Sequence, residues 1–379
     1  VNSDTELRPF IPEAVALRVK SWSEAGQAAW QEDLRCAALV VDLSGFTALT
    51  ERFAAMGPAG AETLSAINSD IFGRIAEEVV RHEGDVVRFV GDAAICIWEE
   101  NPNRLPETAI ELAANAGLAV QRVMHERTPL AEEQVTARVA ISEGTLRLAF
   151  VGGKQGRFEV LADGEAILQA AELCAEAPTG QVAIDQESAR LLDASLLGPE
   201  DESPRIVTKS RMLPPQVHPH KYVHGSVIEP FIPSAVRKRV ESQLSGWIAE
   251  FRQVTALFIK LPSLADPETS NLETVNEAFR AVQDATARYD GSINKFFADD
   301  KGHLVLAIWG LPHVVHEDDP FRAGAAAIAM RDRLNELGTP LRAGIATGRV
   351  FFGLQGNSGR LELAVLGRAI NLAARLMSS

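Results

Sequence analysis

Apolar positions along this chain fall in short runs whose spacing changes from segment to segment. Cys36–Val41 is apolar without a break and ends at Asp42, the pattern of a buried strand. Ser44 stands where it would cap a helix beginning near Gly45. Between Glu62 and His82 the apolar residues recur at helical spacing. Val86–Val90 and Ala93–Trp98 read as two strands flanking Gly91-Asp92, a tight hairpin turn. A helix near Glu107–His125, strands near Thr136–Ser142 and Arg157–Leu161, and a helix from Gly164 follow. The order strand, helix, strand, strand, helix, strand predicts an α+β fold of the ferredoxin-like kind, a sheet with its helices on one face.

The pattern repeats. Pro9-Phe10-Ile11-Pro12 with Ala14-Val15 and Arg18-Val19 returns as Pro230-Phe231-Ile232-Pro233 with Ala235-Val236 and Arg239-Val240. Gly84-Asp85-Val86-Val87-Arg88-Phe89 aligns with Gly291-Ser292-Ile293-Asn294-Lys295-Phe296, and each segment leads to an Ile-Trp pair, Ile97-Trp98 and Ile308-Trp309. Gly164-Glu165-Ala166-Ile167 with Ala170-Ala171 aligns with Gly367-Arg368-Ala369-Ile370 with Ala373-Ala374. Two homologous domains in tandem are expected: a lead-in over 1–30, a first domain over 31–197, a polar, Pro-rich linker over 198–229 and a second domain over 230–379. The strand signal Gln181–Asp185 has no counterpart after Met377, so the second domain is expected to be cut short.

Composition narrows the function. A chain of 379 residues, 46% hydrophobic and 23% charged, is globular rather than disordered, collagenous or coiled-coil. Its net charge of −14 disfavours nucleic acid and anionic lipid as partners. Cys36, Cys96 and Cys174 sit singly in apolar stretches, as reduced buried thiols do, which favours the cytoplasm. No apolar run approaches the ~20 residues of a membrane span, and Val1–Glu6 lacks the basic start of a signal peptide.

Candidate chemistry gathers at three places. Asp42, at the end of a buried strand, and Asp92, at a hairpin turn, become neighbours if their strands are adjacent, and two carboxylates suffice for magnesium when a nucleotide supplies the remaining oxygens. The same two residues equally suit a helix cap and a turn. Ser44-Gly45-Phe46-Thr47 adds a helix start whose free N–H groups can hold phosphate. Asn371 and Arg375 share one face of the helix over Ala369–Met377. The aligned residues of the first copy are Leu168 and Glu172, so this pair is not a shared structural requirement of the repeat.

Ala38–Thr47, Arg88–Ala93 and Val365–Arg375 together resemble the signature segments of class III nucleotidyl cyclases. The tandem arrangement, with Ile293-Asn294-Lys295 in the second copy, is most similar to the soluble, bicarbonate-regulated adenylyl cyclases. The resemblance implies two cyclase domains packed head to tail about a pseudo-twofold axis in a monomeric chain. It also implies one catalytic site between them, converting ATP to 3′,5′-cyclic AMP and pyrophosphate. Asp42, Asp92 and Leu43 would hold two magnesium ions, which manganese can replace. Gly45, Phe46 and Thr47 would receive the triphosphate, Lys295 the adenine and Asn371 the ribose, while Arg375 would meet the charge of the transition state.

The resemblance also marks departures. Lys260 stands where the first copy has Asp42, and Leu168 and Glu172 replace the Asn/Arg pair, so the complementary site is expected to be degenerate and open to a small-molecule regulator. Arg88 holds the place of the family's bicarbonate-binding lysine, but no arginine lies between Gly164 and Cys174. Ala364, just before Val365, replaces the Thr or Asp that contacts adenine in the family, which predicts weakened discrimination against GTP. The alternative functions are a catalytically silent nucleotide-binding pseudocyclase and a guanylate cyclase, the latter disfavoured by Lys295.

Overall fold

The computed structural model describes residues 6–101, 108–126, 135–200, 203–210, 225–241, 249–265, 271–299, 302–312 and 314–379. Two sheets organise it. In the first, β1 (Trp30–Ser44) pairs antiparallel with β3 (Ala93–Glu99) on one side and β4 (Thr136–Lys154) on the other. β2 (Asp85–Val90) flanks β3, and β5 (Arg157–Asp163) folds back on the distal half of β4. β6 (Val182–Ile184) runs parallel to the proximal half of β4, and β7 (Arg205–Ile206) pairs with β6. The second sheet has the order β12-β11-β8-β10-β9, formed by β8 (Glu250–Leu261), β9 (Ser292–Asp299), β10 (Gly302–Trp309), β11 (Arg342–Asn357) and β12 (Arg360–Leu366).

Helices cover both faces of each sheet, a correction to the one-faced layer expected from element order. On the first sheet α2 (Phe46–Ala55), α3 (Pro58–Arg81) and α4 (Ala109–His125) pack on one face, against Ala37, Leu39, Val41 and Leu43. On the opposite face α1 (Glu13–Glu24) and α5 (Glu165–Glu176) cover Cys36, Ala38 and Val40. The short α6 (Ser234–Glu241) follows the second Pro-Phe-Ile-Pro segment. On the second sheet α7 (Leu272–Arg288) and α8 (Asp319–Glu336) share a core with Leu257 and Ile259, while α9 (Arg368–Ser378) packs over Val254, Ala256 and Phe258. The reason is legible in β1 and β8, whose central runs are apolar at successive positions rather than alternate ones, and successive residues point to opposite faces.

The repeats lock together by exchange. α3 of the first half lies across β11, and α7 of the second lies across β4. Phe351, Ala364 and Leu366 complete the first core, and Ala149, Val151 and Leu161 complete the second. The Pro-Phe-Ile-Pro segments are exchanged too: the first meets β12 and the second meets β5, where Phe231 packs 5.0 Å from Trp22 and 4.8 Å from Phe150. Within the stretch expected as linker, β7 adds to the first sheet, and residues 201–202 and 211–224 lie outside the described residues.

Gly84 and Gly291 show why the repeat keeps its glycines. A Cβ on either would stand 2.4 and 2.5 Å from the indole rings of Trp98 and Trp309. Each indole N–H then donates to a carbonyl just before its glycine, Trp98 to His82 at 2.7 Å and Trp309 to Tyr289 at 2.8 Å. The Gly…Ile-Trp signature is therefore one tightly packed joint made twice.

Candidate active site

Asp42 lies near the end of β1, opposite Ala93, and the hairpin joining β2 and β3 carries Asp92 next to it. The Leu43 amide donates to the Asp92 carbonyl at 3.0 Å, so the two segments are tied through their backbones. Burial, and next the like charge of Asp42, push the Asp92 carboxyl above its usual range, while the Thr47 hydroxyl partly offsets this by donating to it at 3.2 Å. Leu43 and Phe46 are buried, and Gly45 caps α2 in the left-handed conformation (φ 89°). Ser44 makes no capping bond, because β1 runs through it and leaves Gly45 as the N-cap. The first amides of α2 thus open beside Asp92, and the Phe46 ring is anchored edge-on to Phe72.

A residue the sequence reading missed completes this corner. Arg138 on β4 sits opposite Asp42 in the register and donates to its carboxylate at 2.5 Å, holding also the Ala175 carbonyl at 2.9 Å. The bond to Asp42 raises the Arg138 pKa further. Sequence spacing gave no hint, since 96 residues separate the partners and only the strand register joins them.

The second half reaches the same corner through β12 and α9. Phe46, Thr47, Gly91 and Asp92 line a cleft with Val365, Leu366, Ile370 and Asn371, and its volume is about 30 Å³. Thus Thr47 and Asp92 of the first half line the same cleft as Asn371 and Val365 of the second. Arg375 lies one turn beyond Asn371 on α9, exposed. Two carboxylates repelling each other, beside helix amides and a polar amide from the facing half, suit hard divalent cations whose remaining ligands come from a polyphosphate. Among the described residues no group of three or more His, Cys, Asp or Glu side chains that could hold a metal ion occurs.

The residues read as base contacts stand elsewhere. Ala364 is fully buried in the interdomain core, in one cluster with Phe46 and Leu366, and is not among the residues lining the cleft. Lys295 is buried on β9, where its ammonium donates to the Phe89 carbonyl and lies 3.2 Å from Glu362. Glu362 also accepts from Arg360 at 2.5 Å and from the Phe89 amide at 3.2 Å, with Arg88 at 3.9 Å. Burial works against that carboxylate, but Lys295, Arg360 and Arg88 outweigh it and hold its pKa at about 2. Lys295 itself is pushed down, by burial and by its two arginine neighbours. The directions differ because one carboxylate serves three cations. Arg88 donates to the Val160 carbonyl at 2.6 Å, close to this cluster and away from Asp92.

The complementary position is built differently. Asp42 pairs with Ala93, five residues before Trp98, and Lys260 pairs with Leu304, five before Trp309, so the register confirms their equivalence. The second hairpin is longer, and Asp299 is drawn into β9, pairing with Gly302. His303 immediately precedes Leu304, as Asp92 precedes Ala93, and its Nε2 bonds Asp163 of the first half at 2.9 Å. A buried histidine–carboxylate contact therefore fills this place. Elsewhere the three thiols are free and buried, and burial pushes Cys36 and Cys174 up to about 12. No described helix is long and apolar enough to cross a membrane.

Comparison with known proteins agrees with this geometry. Residues 30–211 match the adenylate and guanylate cyclase catalytic domain. Adenylate cyclase type 10 of Homo sapiens is 24% identical over 378 residues, and that of Mus musculus 25% over 381, in both cases covering 89% of this chain. The chain spans about a quarter of the length of these relatives, 23% in each. A solved class III adenylyl cyclase-like ATP-binding protein from Pseudomonas aeruginosa superposes with a TM-score of 0.64 at 13% identity, over 92% of this chain and 82% of that one, which establishes a shared fold. By the domain match residues 30–211 belong to the adenylate and guanylate cyclase catalytic domain, and over 89% of its length the chain is similar to adenylate cyclase type 10.

Proposed function

We propose that this protein is an adenylate cyclase that converts ATP to 3′,5′-cyclic AMP and pyrophosphate at the single interdomain cleft bearing Asp92 and Asn371. The observation that carries the reading is the meeting of Thr47 and Asp92 from one half with Val365 and Asn371 from the other. Asp42 and Asp92 would hold magnesium or manganese, which when bound neutralises phosphate charge and acidifies the ribose 3′-hydroxyl. The α2 amides at Gly45–Thr47 receive the triphosphate. Asn371 orients the ribose so that the 3′-oxygen approaches the α-phosphorus in line with the departing pyrophosphate oxygen. The new P–O bond forms as the old one breaks, the hydroxyl proton passes to solvent, and Arg375 meets the charge that develops. Lys295 is assigned to the base by family resemblance, with Glu362 as its anchor; to reach a nucleotide it must leave the Phe89 carbonyl.

Binding must also widen the cleft and release Arg138 from Asp42. That pairing favours a second reading, a silent nucleotide-binding module whose metal corner stays closed. Incubation of the protein with ATP and Mg²⁺ or Mn²⁺ separates the two. Cyclic AMP formation supports the cyclase, and saturable ATP binding without product supports the silent module.

A further inference from the structure

The two halves present equivalent residues to a polar chamber on the pseudo-twofold axis, yet use them unequally. Arg157-Phe158-Glu159 of β5 aligns with Arg360-Leu361-Glu362 of β12, and each arginine bonds its own glutamate, at 2.6 and 2.5 Å. Each faces a bulge in the other half. In β2 the ladder skips Val87, and in β9 it skips Asn294, the aligned residue. Arg360 spends its remaining N–H groups on the carbonyls of Val86 and Val87 at 2.7 and 3.0 Å, and of Leu361 at 2.6 Å, sealing the first bulge. Arg157 does nothing equivalent, and its Nη1 is buried without a partner.

The bulged residues differ accordingly. Val87 is apolar and packed in the core. Asn294 is only 8% exposed, and its Oδ1 has no hydrogen-bond partner. Thr286, 2% exposed on α7, leaves Oγ1 unpartnered as well, and so does Arg237 its Nε. All four residues line one cavity of about 170 Å³ between the β4–β5 turn, α6 and the start of β9, remote from the Asp92 cleft. A buried amide left unpaired costs about 1–3 kcal/mol, so several unpaired groups around one space call for an occupant.

We propose that this cavity binds a small oxyanion that retains a proton, of which hydrogenphosphate is the simplest. Two guanidinium N–H groups supply charge-assisted donors for the anionic oxygens. Asn294 Oδ1 supplies an acceptor for the ligand's own hydroxyl, and the Thr286 hydroxyl can donate to an anionic oxygen. Glu159, Glu229 and Asp284 already neutralise Arg157, Arg237 and Lys154, so recognition rests on directed hydrogen bonds rather than on net charge. A fully deprotonated anion such as sulfate would leave the Asn294 acceptor unsatisfied.

The test is calorimetric titration of the full chain with inorganic phosphate and, separately, with sulfate at neutral pH, without nucleotide or divalent cation. Saturable phosphate binding is expected, with sulfate weaker by about tenfold or more. Arg157→Gln and Asn294→Leu should each weaken phosphate by about tenfold with the circular-dichroism spectrum unchanged. The Asn294 variant should narrow the gap between phosphate and sulfate. Absence of saturable phosphate binding to the wild type would overturn the proposal. So would equal affinity for the two anions, which needs no variant to measure, or affinity unchanged in both folded variants, which would place the anion elsewhere.

Discussion

Glu362→Gln tests the electrostatic joint between the halves. The substitution keeps the shape and removes the charge, leaving Lys295, Arg360 and Arg88 facing one another without an anion. The carboxylate is held at about 2 against an ordinary 4.5, and at about 1.4 kcal/mol per pH unit this gap is worth about 3 kcal/mol of folding stability. Breaking a buried ion pair from one side gives the same order, about 3–5 kcal/mol. The sign follows from the depressed pKa. The contribution is complete above the unfolded carboxylate range, near pH ~4.3, and is lost as the pH falls from there toward 2. Urea unfolding of both proteins should therefore show Glu362→Gln about 3 kcal/mol less stable at pH 7, with the difference shrinking between pH 5 and 3. Equal stability at pH 7 would refute the reasoning, and so would a difference that stays constant down to pH 3, because it would then not arise from ionisation of Glu362.

Other outcomes follow from the asymmetry of the two interdomain positions and from packing. Asp42→Asn and Asp92→Asn should each lower turnover by about 10²-fold or more, whereas Asp299→Asn, drawn into β9, should leave it within about twofold, as measured by cyclic AMP formation. Arg375→Ala should reduce kcat far more than it raises KM for ATP, since its contact strengthens with transition-state charge; a lowered Tm with normal kcat would make the residue structural. Ala364→Thr places a hydroxyl in a fully buried site, so a loss of about 1–3 kcal/mol in urea unfolding is expected in the free protein. If the base reaches this strand, the same variant should improve the ATP:GTP ratio of kcat/KM. Gly84→Ala and Gly291→Ala drive a methyl into an indole and should each cost about 1–3 kcal/mol in thermal or urea unfolding.

The fold was legible where a local pattern maps to one structural cause. The Gly…Ile-Trp repeat marks the joint at Gly84 and Trp98, and the unbroken run Cys36–Val41 is a central strand. The same run, taken literally, also required cover on both faces, and the expectation of a single helical layer overlooked it. At the candidate site, Asp42, Asp92 and Thr47 carry a sequence mark because each sits near the end of an element, and Asn371 because it shares a helix face with Arg375. Arg138 could not be marked in this way, because its role comes from a strand register across 96 residues. Nor could the burial of Ala364, which depends on α3 of the other half packing across β11, the strand beside β12.

Duplication explains why the two interdomain positions diverged in opposite ways without loss of the joint between them. With one cleft lined by Asp92 and Asn371, the halves need matching contact at the other position rather than matching chemistry. At the lost position the contact is rebuilt from new pairs: His303 fills the place of Asp92 and binds Asp163, while Lys260 stands where Asp42 would be. At the axis the old residues persist, but Arg360 bonds two carbonyls of β2 besides Leu361 and Glu362 of its own strand, while Arg157 leaves Nη1 unpartnered beside the cavity that Asn294 also lines. His303, Glu159 and Asn294 are buried, so packing alone would have favoured apolar replacements at these positions. Retention of a polar, incompletely satisfied chamber on the Arg157 side, with its symmetry mate fully bonded, is therefore better explained by something that binds than by drift.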